Sequence, residues 1–296
     1  MFKKYLLSTL SLLSKILRKT PLRKIEWIAN IHMILFGLLS TSTRYKLADF
    51  QLEIDPRDRT IAKKIALYGD YEGFMRDVLL SFAAVNTTVV DIGANIGLHT
   101  IPLSKKVGSH GKIIAFEPDP DNYHLLLKNI SLNDLKNVTT HNIGLSNKAG
   151  DALLFQSTVN RGGLSICENN IDKQENQPEP VKIELSTADT FLTECVHEIS
   201  LIKIDVEGAE PLVIEGMLET LKKNTKAVIV FEFSPAYIKN FGVQPSEFLS
   251  SLIQNRYELS IVDENSESIM LSNVDEIIRL GNQSDNALNL IAQRKS

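Results

Sequence analysis

Thr88-Val89-Val90-Asp91-Ile92-Gly93-Ala94-Asn95-Ile96-Gly97 is the stretch that decides the fold. Its first four residues, mostly β-branched, read as a buried strand. Two glycines follow four positions apart. A helical pattern then runs from Ile96 to Val107, with Gly108 beyond its end. Strand, glycine turn and helix in that order open a βαβ unit, and the glycines let a ligand come close to the backbone.

The same alternation continues outward. Lys112 to Glu117 reads as a second strand. Pro120 to Asn133 reads as a helix, with Asp119 as its N-cap and Pro120 at its first position. Val138 to Ile143 is a third strand. Ser200 to Asp205 is another core strand, followed by a helix from Ala209 to Leu221 and a strand from Ala227 to Glu232. Pro245 to Gln254 is helical, and Tyr257 to Val262 and Ala287 to Ala292 could close the sheet. Ala152 to Gln156 and Val181 to Leu185 are shorter, exposed strands. Asn160 to Pro180 is polar and irregular, a long surface loop of the kind that is often functional. The alternation predicts an α/β fold, a mostly parallel sheet covered by helices on both faces. Ligands in such sheets bind beyond the carboxyl ends of the strands.

The chain has 296 residues, 43% hydrophobic and 23% charged, enough apolar material for a sizeable core. Two cysteines, Cys167 and Cys195, lie far from any His/Cys cluster, which argues against a disulfide framework or structural zinc and for a reduced, cytoplasmic setting. The net charge of −4 hides an asymmetry: residues 1–50 hold nine Lys/Arg against Glu26 and Asp49, so they carry +7 and the remainder −11. An acidic body speaks against nucleic acid. The basic head has no small-x-small cleavage site and no apolar run long enough to span a bilayer. Leu6, Leu10, Leu13 and Leu17 form an apolar helical stripe with basic flanks. We expect residues 1–50 to be an amphipathic helical extension and residues 51–296 the main domain. The stripe either packs on that domain, the reading slightly favoured, or makes peripheral membrane contact through residues 1–40.

The sign of the charge around the glycine loop narrows the ligand. A pyrophosphate wants backbone N–H groups and no nearby acid, and the spacing is not the dinucleotide G-x-G-x-x-G. Here Asp91 precedes the loop, Asp205 and Glu207 end one core strand, and Glu232 ends another. Such a site should attract a cation. Glu117, ending the second strand, is placed to accept hydrogen bonds from both hydroxyls of a ribose. A cation with a ribose describes S-adenosylmethionine. Asn142, near the end of the third strand, is placed either to bond an adenine edge or simply to turn the chain before Gly144.

Read together, Asp91 to Gly97, Phe116-Glu117-Pro118 and Lys203-Ile204-Asp205-Val206-Glu207-Gly208-Ala209-Glu210 resemble the FkbM methyltransferases. Gly69-Asp70-Tyr71-Glu72 and Ser186-Thr187-Ala188-Asp189 also resemble that family's pattern, so the likeness runs from Asp70 to Pro235. Asn95 replaces the middle glycine of the wider methyltransferase loop, as is usual for this family. The first 50 residues carry no part of it. The resemblance implies a class I, Rossmann-like methyltransferase fold with a seven-stranded sheet whose last strand is antiparallel. It also implies O-methylation of sugar or polyketide hydroxyls, and it places Glu72 and Tyr71 over the cofactor or the acceptor.

These readings give Asp91, Gly93, Asn95, Gly97, Glu117, Asn142 and Glu72 as cofactor-binding residues. Asp205, Glu207 and Glu232, in that order, are candidate general bases for a glycan or small-molecule hydroxyl. Lys203, two positions before Asp205, faces the same side and is expected as its charge partner. Glu210 fits a helix first turn better than catalysis. His99, a lone histidine early in the first helix, reads as structural rather than as a base. A divalent metal at the acids ranks below the metal-free reading, because a cationic cofactor explains the same cluster. Two alternatives remain: a nucleotide-dependent oxidoreductase or epimerase, and a non-catalytic binding protein that retains the fold.

Overall fold

The computed structural model describes residues 44–47, 49–55, 61, 64–65, 70–157, 163–171, 178–193, 197–284 and 287–295. The amphipathic stripe over residues 1–40 lies outside these, as do Gly69, Arg161, Gly162 and residues 174–177 of the polar loop. Among the described residues no helix is long and apolar enough to cross a membrane.

Strands β1 (Arg44–Leu47) and β2 (Phe50–Glu53) form an antiparallel hairpin. Then come β3 (Thr88–Ile92), β4 (Lys112–Phe116) and β5 (Val138–His141). A group of short strands follows: β6 (Gly144–Leu145), β7 (Gly150–Gln156), β8 (Leu164–Ser165) and β9 (Val181–Ser186). The chain ends with β10 (Ile199–Ile204), β11 (Val228–Phe233), β12 (Tyr257–Asp263), β13 (Ser268–Leu271) and β14 (Leu288–Arg294). The main sheet has the order β13-β12-β14-β11-β10-β3-β4-β5, and β6-β9-β7-β8 form a separate four-stranded sheet.

Strands β5, β4, β3, β10 and β11 run parallel, while β14 enters antiparallel between β11 and β12. That is the class I methyltransferase arrangement expected from the resemblance, with an antiparallel last strand. The structure adds an eighth strand, β13, on the far edge. Its burial pattern is almost wholly exposed, so it carries none of the core periodicity that reveals the others.

All five residues of β3 are buried, because both faces of the sheet are covered. Val90 and Ile92 face a core that includes Phe116, Ile202, Phe231 and Leu249, while Val89 faces the opposite core of Leu79, Leu103, Leu126 and Ile291. Each fully buried Phe or Ile of this kind stabilises the fold by roughly 1.5–3 kcal/mol. The hairpin β1–β2 packs on Ile96, Leu98 and Ile101. Asn129, on the helix Pro120–Leu132, and Asn133, its C-cap, hydrogen-bond the backbone of Glu53 and Gln51. The described strands Arg44–Leu47 and Phe50–Glu53 thus pack with the main sheet's helices.

Several helices depart from the sequence reading for local reasons. The first motif helix runs Thr100–Val107 rather than from Ile96, because Asn95 and Gly97 have φ 50 and 93, which helices do not use. The expected helix from Ala209 to Leu221 is two, Glu210–Glu215 and Leu218–Lys223. It breaks at Gly216, where the Ser146 backbone presses against the chain. Pro120–Leu132 is capped as expected, with the Asp119 side chain accepting from the Asn122 N–H at 2.8 Å. The helices Gly73–Phe82 and Val274–Gln283 were not anticipated.

Candidate active site

The carboxyl ends of β3, β4 and β10 converge under the small sheet and enclose a cavity of about 670 Å³, including its open mouth. Gly93, Asn95, Glu117, Asp205 and Glu207 line it on the main-sheet side. Leu154, Leu164, Ile166, Ile183 and Leu185 wall it from the small sheet. Gly93 has φ 76, and a Cβ there would overlap the carbonyl oxygen of Asp205. The loop therefore lies against β10 as bare backbone, which is what the sequence demanded of this glycine. Gly93 and Ala94 N–H groups both donate to the Phe116 carbonyl.

Glu117 is 3% exposed and sits at the cavity edge. Its Oε2 accepts from the Asn95 N–H at 2.7 Å and its Oε1 from the Asp119 N–H at 2.9 Å. Burial outweighs those two donors and pushes its pKa up to about 8. Glu207 has left-handed backbone, φ 53. Burial, with Asp205 and Glu210 beside it, raises its pKa to about 8 as well. Glu210 is 1% exposed and its Oε1 accepts from the Val206 and Gly208 N–H groups. It braces the turn ahead of its own helix, as its position in a first turn suggested.

Asp205 also borders a second cavity of about 380 Å³, lined among others by Glu72, His99, Lys203, Glu232 and Asn289. Lys203 is buried, and its ammonium lies 3.3 Å from Asp91 Oδ1 and 3.3 Å from Asp205 Oδ2 while donating to the Gly93 carbonyl at 2.9 Å. Burial opposes this charge, but Asp91, Asp205 and Glu72 outweigh it and hold the Lys203 pKa above its ordinary value. Glu72, also in left-handed backbone, meets His99 Nε2 at 2.9 Å. Burial works against ionising Glu72, yet His99, Tyr71 and Lys203 hold its pKa at about 2. Glu232 has its pKa well above the carboxylate range, through burial and then the nearby Asp205, Glu207, Glu210 and Glu72. Among the described residues no group of three or more His, Cys, Asp or Glu is arranged to hold a metal.

Three expected cofactor residues line neither cavity. Asp91 is fully buried and bonds Thr100 Oγ1 at 2.6 Å as well as Lys203. It reaches the site only through the lysine. Gly97 lies beneath Leu126. Asn142 spends its Nδ2 on the carbonyls of Glu117 and Pro118, at 2.8 and 3.0 Å, so it fixes the turn that carries Glu117.

Residues 91–259, more than half of the chain, match the methyltransferase FkbM domain. The chain belongs to this family. It is 32% identical over 180 residues to methyltransferase sdnD of Sordaria araneosa, covering 52% of this chain and 69% of that protein. It is 25% identical over 190 residues to hexuronic acid methyltransferase AglP of Haloferax volcanii, covering 64% of this chain and 71% of that one. Among solved structures, a SAM dependent methyltransferase from Aquifex aeolicus is 16% identical and aligns with a TM-score of 0.40 over 74% of this chain and 88% of its own.

In this methyltransferase the three candidate bases are divided between the cavities: Asp205 touches both, Glu207 the first and Glu232 the second. What sequence reading missed is the apolar wall from the small sheet, and the His99–Glu72 pair. The alternation Val181-Lys182-Ile183-Glu184-Leu185 was the available signal for the wall, since it marks a strand with one covered face. The His99–Glu72 pair joins residues 27 positions apart and left no local trace.

Proposed function

We propose that this methyltransferase uses S-adenosylmethionine and methylates a hydroxyl on a sugar, glycan or related secondary metabolite. One observation carries the reading. The first cavity sets a buried, backbone-held Glu117 and the acids Asp205 and Glu207 against a glycine loop packed as bare backbone. A ligand complementary to that surface presents a diol to Glu117 and a positive charge to the acids. The apolar wall opposite suits a flat, weakly polar base. Gly93, Asn95, Glu117, Asp205 and Glu207 would hold the cofactor, with Glu72 on the far side of Asp205.

When bound, S-adenosylmethionine supplies an electrophilic methyl carbon attached to a sulfonium. The positive charge is lost as transfer proceeds, so Asp205 and Glu207 bind the cofactor more than they accelerate the reaction. Rate comes chiefly from alignment in a closed site. The acceptor hydroxyl must also give up its proton. Asp205, where the two cavities meet, is the first candidate to receive it, then Glu207 and Glu232. The Glu207 pKa of about 8 lies close to a neutral working pH, which suits a general base. A sugar as acceptor draws support from the relative named for a hexuronic acid, a sugar that offers both hydroxyls and a carboxylate.

The test combines two measurements. Wild-type protein should bind S-adenosylhomocysteine, and a screen of glycans and hydroxylated metabolites with S-adenosylmethionine should find at least one that is methylated on oxygen. Binding of a nicotinamide dinucleotide in place of S-adenosylhomocysteine would sink the reading. Asp205→Asn, Glu207→Gln and Glu232→Gln should then be compared. The true base should lose about 10²–10⁴-fold in turnover while cofactor affinity stays measurable. Full activity in all three would remove the proton-transfer assignment.

A further inference from the structure

One carbonyl ties Glu207 to the segment that walls the first cavity. The left-handed backbone of Glu207 is costly for a residue with a side chain and persists only where its surroundings impose it. Its carbonyl oxygen accepts from Asn170 Nδ2 at 2.8 Å and from Ser165 Oγ at 3.2 Å. Asn170 is 5% exposed, at the end of a 3-10 turn over Glu168–Asn170. Its Oδ1 accepts from Asn240 Nδ2 at 2.6 Å, and the Glu207 carbonyl, which can only accept, fixes which way the amide points. Its Nδ2 is thereby aimed at Glu207, with the Tyr237 carbonyl at 3.4 Å. The next residue, Gly208, makes room: a Cβ there would lie 2.7 Å from Asn170 Nδ2. Leu164 and Ile166, either side of Ser165, line the cavity together with Glu207.

We propose that Asn170 is a positioning residue of the transfer site. It clamps the Glu207 carbonyl, and so fixes both the direction of the Glu207 side chain and the seating of the Leu164–Ile166 wall. The inference rests on the first cavity being the cofactor's site. Neither Asn170 nor Ser165 reacts. Both act through Glu207.

The experiment measures affinity for S-adenosylmethionine, which carries the sulfonium charge, by calorimetry in the absence of an acceptor, and melting temperature, on the full chain. The variants are Asn170→Leu, which keeps the volume but removes the donor, the milder Ser165→Ala, Glu207→Gln, and the two doubles that add Glu207→Gln. Loss of one buried hydrogen bond should weaken affinity about fivefold to tenfold for Asn170→Leu and about threefold for Ser165→Ala. Each loss should shrink in the Glu207→Gln background, because the carboxylate being positioned is gone and only the wall's share of the effect persists. If Asn170 only cements the helix Pro235–Asn240, melting temperature falls but affinity holds, and the proposal is overturned. Losses that simply add to that of Glu207→Gln also overturn it. Should Asn170→Leu fail to fold, the Ser165→Ala pair decides. Wild-type protein that binds no S-adenosylmethionine would refute the proposed function instead, and is distinguishable from both outcomes.

Discussion

In the second cavity the carboxylates are mostly matched: Asp205 has Lys203 at 3.3 Å and Glu72 has His99 at 2.9 Å, which leaves Glu232 as the exception. In the first cavity, among the described residues, no ion pair reaches Glu117 or Glu207, and both hold pKa values near 8. The two cavities share Asp205, so the contrast is not one of depth or location. It is a difference in how charge is settled. The second cavity has a cation, Lys203, built into the chain, and a hydrogen-bonded partner for Glu72 in His99. The first keeps its acids short of positive charge, a state relieved when a cation arrives. A site kept short of charge is primed for a charged ligand, whereas a settled one is primed to hold its own shape.

Four measurements would break or sharpen that contrast. The largest effect should come from Lys203→Met, which strips the second cavity of its built-in cation. Breaking a buried charge cluster of this kind costs about 3–5 kcal/mol, a melting-temperature drop on the order of 10 °C in a domain of this size. Thermal denaturation checks it, and an unchanged melting point would mean that the two cavities are not electrostatically distinct.

Next, Gly93→Ala forces a methyl group into the Asp205 carbonyl at φ 76. Strain and overpacking together should cost about 2–4 kcal/mol. Denaturant unfolding should record it, along with loss of ligand binding in the first cavity.

Measured at pH 9, where Glu117 is ionised, Glu117→Gln should weaken S-adenosylhomocysteine binding roughly a hundredfold, the worth of two charge-assisted hydrogen bonds, with a smaller change in stability. A loss of less than threefold would remove Glu117 from the ribose role.

The gentlest probe is pH. Glu117 and Glu207 titrate near 8 and Glu210 near 7 in the folded protein, against 4.5 for an ordinary glutamate. Between those values the folded chain holds more protons than the unfolded chain. These groups therefore favour the fold below about 4.5, and that stability is lost as pH rises to about 8. A cationic ligand prefers the ionised acids, so its affinity should rise by up to about tenfold per pH unit below 8. Ligand-free melting points at pH 5.5 and 8, and binding isotherms across pH 6 to 8, test both halves. A flat affinity profile would mean that the first cavity is not short of charge.

Much of this was legible in the chain. The buried strands β3, β4, β10 and β11 announce themselves as runs such as Val228-Ile229-Val230-Phe231, because a sheet covered on both faces asks for apolar residues at successive positions, with Asp91 and Lys203 buried exceptions that pair with each other. Asp119-Pro120 marked a helix start because a cap and a proline act locally. Asp205, Glu207 and Glu117 could be placed because strand ends follow from strand lengths. The orientation of Asp91 could not. Its turn away from the cavity depends on Thr100 and Lys203, the latter 112 positions on, and no local pattern encodes that meeting. The start of the first motif helix was misjudged for a related reason. Asn95 takes a left-handed conformation that its residue type permits but does not announce.

The placement of β14 bears on how the protein is made. It follows both β11 and β12 in sequence, yet it inserts between them and brings Asn289 to the second cavity. A growing chain can therefore carry every motif of the site before the sheet that supports them is continuous. Until β14 arrives, β11 and β12 expose unpaired edges, the kind of surface on which partly made chains stick to one another. Synthesis interrupted between β12 and β14 would leave both edges open at once.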